Sequence, residues 1–270
     1  MLSTSLSPDL TNQILAYLGC SRKPPSVRYL NQLVRAYIRR VPWESASRIV
    51  KRHTTLETAK CPRWPDEFWA NALDSGTGGT CFENNLAFFT LLNTLGLQGY
   101  LTINNMLDQQ ACHTAIIIFL QGQKYLVDVA IPLHCALPVC SGKITKRSTP
   151  FHHYTVRPIG DSVFEIERSH HPKRNIFTLL DRPIPLAAYQ AAVERDYEET
   201  GYFLGRVLLV KIIDDRLWRF NSMERPYKLE AFDKTSKQEK LLAPEKLPHL
   251  LAEQFGIAED IVAAALLYVE

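Results

Sequence analysis

Long hydrophobic runs are missing from this chain of 270 residues. A membrane-spanning helix needs roughly eighteen or more uncharged apolar residues in a row, and none is found, so no membrane association is expected. A strong charge of one sign is missing too. The 31 Lys and Arg residues against 28 Asp and Glu leave a net charge of +3, too little to argue for a nucleic-acid partner. No Lys/Arg cluster is interleaved with aromatics as a base-stacking surface would require, and the basic stretch Arg35 to Arg40 reads as a solvated helix face. The opening MLSTSLSPDL has neither a basic segment nor a continuous apolar one, so it does not read as a secretory signal, and a cytoplasmic location is the default expectation. The six cysteines are scattered without a CxxC pair, which argues for reduced thiols rather than a disulfide framework. Cys135 and Cys140 beside His134 lack a second ligand pair at a standard spacing, so no metal is expected.

What remains is ordinary globular composition, 46% hydrophobic and 22% charged, in a chain long enough to bury a large core. The first third reads as helical. Leu10, Ile14, Leu15 and Leu18 share one face of a helix over about 8–18, and Leu30, Leu33, Val34, Tyr37 and Ile38 share another. Phe88, Leu91, Leu92 and Leu95 predict a third, closed by Gly96. From Gly99 the period becomes that of strands: Ala115 to Leu120 and Lys124 to Val129 flank Gln121-Gly122, and Val163 to Glu167 alternates buried and exposed. A helix over 186–199, a hairpin across Asp214-Asp215 and two closing helices, about 245–255 and 259–269, complete the outline. The expected fold class is α+β: an N-terminal helical bundle (1–97), a central antiparallel β-barrel or sheet (98–195) and a C-terminal α/β lid (196–270).

Gly76-Thr77-Gly78-Gly79-Thr80-Cys81-Phe82-Glu83-Asn84-Asn85 carries the chemistry. Thr80 and Glu83 stand at capping-box spacing, which puts Cys81 at the first helical position. A thiolate there meets unpaired backbone N–H groups and the positive helix end, so a lowered Cys81 pKa is expected, with Glu83 turned back to the Thr80 amide. The glycines let the backbone pass close to whatever sits on the sulfur. Downstream, a two-residue loop at Gln121-Gly122 sets Leu120 opposite Gln123. His113 then falls on the same face as Asp128 and diagonal to it, provided the register does not slip. Asp128 lies in the apolar run Tyr125 to Ala130, where a carboxylate needs a partner. His113 is the nearest candidate, and the two with Cys81 would form a Cys-His-Asp triad.

At these residues the chain resembles the arylamine N-acetyltransferases, within the wider papain-like and transglutaminase-like thiol enzymes. The family's Arg-Gly-Gly-x-Cys-x-Glu-x-Asn is matched by Gly78 to Asn85 at every position but the arginine, where Thr77 stands. The family's His-to-Asp interval of fifteen is met by His113 and Asp128. Val127-Asp128-Val129-Ala130-Ile131-Pro132 is similar to its Val-Asp-Val-Gly-Phe-Gly, with the glycines replaced. Pro42-Trp43-Glu44-Ser45 looks like its Pro-Phe-Glu-Asn, and the Cys81-to-His113 interval is shorter than the family's.

The resemblance implies a cysteine-proteinase-like fold with Cys81, His113 and Asp128 catalytic. It implies Trp43, Gly79, Thr80, Phe82, Ala130 and Ile131 at the substrates, Trp43 by the acyl acceptor and Ala130-Ile131 by the donor. The reaction it implies is ping-pong transfer of an acetyl group from acetyl-CoA, the acyl donor, through an acyl-cysteine to a small-molecule arylamine or hydrazine, with no metal. An amide synthase or thiol hydrolase on the same triad, and a non-catalytic binding relative, are the alternatives.

Overall fold

The computed structural model describes residues 4–169, 174–199 and 201–269. Helices α1 (Pro8–Tyr17), α2 (Val27–Arg40), α3 (Ala46–Thr54), α4 (Pro65–Ser75) and α5 (Cys81–Thr94) fill the first third, with the two-residue strand β1 (Trp43–Glu44) between α2 and α3. Ser7 and Ser26 cap α1 and α2 by accepting from the amides of Leu10 and Tyr29. Helix α5 is central. Every residue from Cys81 to Leu92 is buried, and its Phe88, Leu91 and Leu92 are fully enclosed. Each such side chain stabilises the fold by about 1.5–3 kcal/mol. Helix α5 therefore lacks a polar face, because α4 covers one side and the large sheet another.

That sheet has eight antiparallel strands: β2 (Gly99–Met106), β3 (Gln109–Leu120), β4 (Gln123–Val127), β5 (Leu137–Val139), β6 (Thr145–Ser148), β7 (His153–Gly160), β8 (Val163–Arg168) and β9 (Asn175–Leu180). Their spatial order is β5-β4-β3-β2-β9-β8-β7-β6. Thr145 of β6 donates its hydroxyl to the Pro138 carbonyl of β5, so the two edges meet and the sheet nearly closes into a barrel around Ile117, Leu126, Tyr154, Ile166 and Phe177. The β3–β4 hairpin turns at Gln121-Gly122, both at positive φ, with Leu120 opposite Gln123 and Ile116 opposite Val127, the register that the two-residue loop predicts.

Helix α6 (Leu186–Arg195) follows, and then a smaller sheet of β10 (Leu208–Ile213), β11 (Arg216–Asn221), β12 (Lys228–Phe232) and β13 (Lys237–Leu241). Its outer strand is β1, from the first third of the chain. Helices α7 (Leu247–Phe255) and α8 (Glu259–Val269) close the structure. The architecture is thus α+β, as expected, with two local differences. Strand β4 ends at Val127 rather than 129, because the Asp128 carboxylate takes the next amides out of the ladder. Helix α6 stops at Arg195 rather than 199, where Asp196 turns to a buried arginine. No helix among the described residues is long and apolar enough to cross a membrane.

Candidate active site

Cys81 is the first residue of α5 and is only 8% exposed. The loop before it is fixed by glycines that tolerate no side chain. A Cβ on Gly78 would lie 1.8 Å from the Pro42 carbonyl oxygen, and one on Gly79 would lie 2.6 Å from a Glu83 carboxylate oxygen. Glu44 anchors the same loop, accepting from the Gly78 amide at 3.1 Å while its own amide donates to the Gly79 carbonyl at 3.0 Å. Gly79 and Thr80, expected at the substrates, are instead packed into this support. The close approach that these glycines permit is to the Pro42 carbonyl and the Glu83 carboxylate.

The capping box is not formed. Thr80 is the N-cap residue but its side chain makes no cap hydrogen bond. Glu83 turns away and accepts from the Arg63 amide at 3.0 Å, from the Arg63 guanidinium and from the Tyr197 hydroxyl at 2.6 Å. Arg63, 2% exposed, also donates to the Gly78 carbonyl at 2.7 Å. Burial alone would raise the Glu83 carboxyl, but the Arg63 guanidinium brings it below its ordinary value. A guanidinium thus stands behind the nucleophile loop although Thr77 occupies the position of the motif's arginine.

His113 and Asp128 meet as the register requires. His113 Nε2 lies 2.6 Å from Asp128 Oδ2, both side chains essentially enclosed. The other carboxylate oxygen accepts from Asn85 Nδ2 at 3.2 Å, the Ala130 amide at 2.9 Å and the Ile131 amide at 3.0 Å. Asn85 in turn donates to the Thr114 carbonyl at 2.8 Å and accepts from the Val129 amide at 3.1 Å. The Asp128 carboxylate therefore keeps every hydrogen bond it needs at zero exposure. The Phe177 ring, 4.8 Å from the imidazole centroid, holds the ring from the barrel side. With Nε2 engaged, Nδ1 is the imidazole nitrogen left for the sulfur.

Cys81 and His113 share a cavity of about 280 Å³ whose wall includes Trp43, Ala130, Ile131, Tyr202, Phe203 and Leu217. Trp43 meets Phe203 edge-to-face at 4.9 Å. Phe82 lines a separate, neighbouring cavity with Cys112, Ala192 and Asp196. The cavity's wall is mostly apolar and aromatic, and besides the Cys81 thiol and the His113 imidazole it includes the Cys112 thiol and Arg168.

The shift of the Cys81 thiol is opposite in direction to the expected lowering. Burial, then the carboxylates of Asp196 and Asp128, push its thiol well above the ordinary range, with Arg48 opposing. The helix end does not outweigh enclosure in the direction of this shift. Asp196 was not legible as part of the site. It forms a 2.8 Å ion pair with the fully buried Arg48, which also donates to the Tyr202 carbonyl at 3.0 Å and lies over the Tyr197 ring at 4.5 Å. The pair ties the segment bearing Tyr202 and Phe203 to α3. Burial pushes the Asp196 carboxyl up to about 6 in spite of Arg48.

With this geometry in place, the comparisons with known proteins are specific. The model of a family described as N-acetyltransferase matches residues 26–263. No curated protein sequence matches the chain. Among solved structures, the arylamine N-acetyltransferase of Mycobacterium abscessus is 19% identical with a TM-score of 0.79, over 96% of this chain and 94% of its own. That of Salmonella typhimurium is 15% identical with a TM-score of 0.80, over 97% and 99%. That of Mycobacterium marinum, in complex with CoA, is 16% identical with a TM-score of 0.80, over 95% and 98%. At these identities the similarity is one of fold.

Proposed function

Because the chain belongs to the N-acetyltransferase family, we propose that it moves an acetyl group from acetyl-CoA to an aromatic amine or hydrazine through an acyl-cysteine on Cys81. The observation that carries this reading is the paired His113–Asp128 facing the same small apolar cavity as the Cys81 thiol.

In the first half-reaction His113 Nδ1 takes the Cys81 proton as the sulfur attacks the thioester carbonyl. The bond from that carbonyl to the CoA sulfur breaks, and the imidazolium returns the proton to the departing thiolate. The backbone N–H groups at the start of α5 point toward the developing oxyanion. Asp128 fixes the ring and stabilises the imidazolium, a role supported by its four hydrogen bonds. In the second half-reaction the amine nitrogen attacks the acyl-cysteine, His113 takes the nitrogen's proton, and the amide leaves as the Cys81 sulfur recovers its electrons and that proton. Trp43, Phe203 and Leu217 favour a flat, apolar acceptor over water, since an apolar wall offers water no partners. We also read the chain as three parts, 1–97, 98–195 and 196–270, with the Asp196–Phe203 segment of the third covering the cavity.

The test is intact-protein mass spectrometry after brief exposure to acetyl-CoA without acceptor. The wild type should gain one acetyl group that an arylamine then removes, and Cys81→Ala should gain none. An acetyl group retained on Cys81→Ala, or never acquired by the wild type, would refute the acyl-cysteine.

A further inference from the structure

A hollow of about 1110 Å³ shares no residue with the catalytic cavity and lies where the ends of α2, α4 and α7 and the start of α8 meet β10. Along β10, Leu208 and Val210 line the catalytic cavity. Lys211, one residue on, points to the opposite face of the sheet and into the hollow. Its Nζ donates to the Phe255 carbonyl at 2.6 Å, at the last residue of α7, which Gly256 closes at positive φ. The same junction backs the nucleophile loop. The Ala258 amide donates to the Ser75 carbonyl at 2.9 Å, and a Cβ on Gly76 would lie 1.8 Å from the Gly256 carbonyl oxygen.

Among the described residues no carboxylate pairs with this amine. Asp215 is taken by Arg39 at 2.5 Å and Glu259 by His249 at 2.9 Å. Asp74 accepts from the Ser75 hydroxyl at 2.8 Å. Asp214 and Glu253 line the hollow without forming an ion pair with Lys211, and Tyr17 gives its hydroxyl to the Arg40 carbonyl at 3.1 Å. Arg40, at the end of α2, has no carboxylate partner among the described residues either, and its charge acts on the amine. Burial, then the Arg40 guanidinium, pull Lys211 from the ordinary 10.5 down to about 8. About one amine in ten is then neutral at pH 7, against about one in two thousand for an ordinary lysine. A partly enclosed amine beside a second cation is the usual arrangement for a nucleophilic lysine.

We propose that Lys211 is a carbamylation site, where the amine adds dissolved carbon dioxide and the resulting carbamate is held between Arg40 and the Phe255 carbonyl. The Nζ lone pair forms a bond to the carbon of CO2, one C=O electron pair moves onto oxygen, and an Nζ proton leaves to water, with no change of oxidation state. The product fits both neighbours. It keeps one N–H for the Phe255 carbonyl and offers two oxygens to a guanidinium fork. A neutral imine formed with an aldehyde would lose that N–H, and an acetylated amine would bring no charge to Arg40. The carbamate also turns the repulsion between two cations into an attraction, joining α2 to β10 at the α7 end that supports the nucleophile loop.

The test equilibrates the protein with carbon-13-labelled CO2 and bicarbonate, fixes any carbamate with triethyloxonium, which alkylates its oxygens, and maps the label by peptide mass spectrometry. The wild type should carry trapped label on Lys211 and little on Lys240, which is exposed and serves as the ordinary lysine. Arg40→Gln changes an exposed residue, leaves the amine in place and removes the partner of the carbamate. At equal CO2 and pH it should lower the label on Lys211 about tenfold or more. A wild type with Lys211 unlabelled, or labelled no more than Lys240, overturns the site. Label on Lys211 that Arg40→Gln leaves undiminished overturns the role given to the guanidinium.

Discussion

Replacing Asp128 with Asn tests the site most directly, because it removes one charge and little volume. The carboxylate has zero exposure and its oxygens take bonds from His113, Asn85 and two backbone amides. An amide cannot serve both sides. Whichever way it turns, its NH2 group faces either a donating imidazole N–H or the Ala130 and Ile131 amides. The larger loss is electrostatic. When His113 takes the Cys81 proton, the imidazolium and the carboxylate stand with charge centres about 4 Å apart, which at an effective dielectric near 20 amounts to about 4 kcal/mol. Loss of that stabilisation should slow acyl-cysteine formation by about a thousandfold. The raised Cys81 thiol makes the step depend on this proton transfer. The assay is the pre-steady-state burst with a chromogenic acetyl ester, run well below the melting temperature of each protein. A folded Asp128→Asn variant whose burst slows by less than about tenfold would refute the claim that the carboxylate acts through the imidazole.

Two further outcomes follow from the buried charges. Arg63→Met should leave Glu83 enclosed without its counterion and cost about 3–5 kcal/mol, read as a fall in the urea midpoint, whereas Arg63→Lys should recover part of it. Asp196, held up to about 6 against an ordinary 3.8, binds more protons folded than unfolded. The stability it contributes is present below about pH 4 and is lost as pH rises to about 6, by about 3 kcal/mol. The difference in unfolding free energy between wild type and Asp196→Asn should therefore change across that window and flatten above it. A constant difference would show that the carboxyl is not raised.

The legible parts of the site are those built by local geometry. The Gln121-Gly122 loop fixed the pairing of β3 with β4 before any contact was known, because a two-residue turn leaves one register and the pleat then assigns each side chain a face. That brought His113 to Asp128. Asn85 was visible in the nucleophile motif, but its hydrogen bonds to Thr114, Asp128 and Val129 were not. A side chain's partners across 29 to 44 residues leave no trace in periodicity.

The sequence by itself determined a helix start at Cys81, a hairpin that joins an imidazole to a carboxylate, and glycines where no Cβ fits. Tertiary structure alone decided what surrounds them. Arg63 reaches Glu83 across 20 residues, Arg48 reaches Asp196 across 148, and Trp43 joins a sheet whose other strands begin at Leu208. The upward shift of the Cys81 thiol depended on the same assembly. Helix-end fields act locally and can be read from a motif, but the cost of charging a buried sulfur depends on how much water the rest of the chain removes, and that is fixed only once all the layers have closed around it.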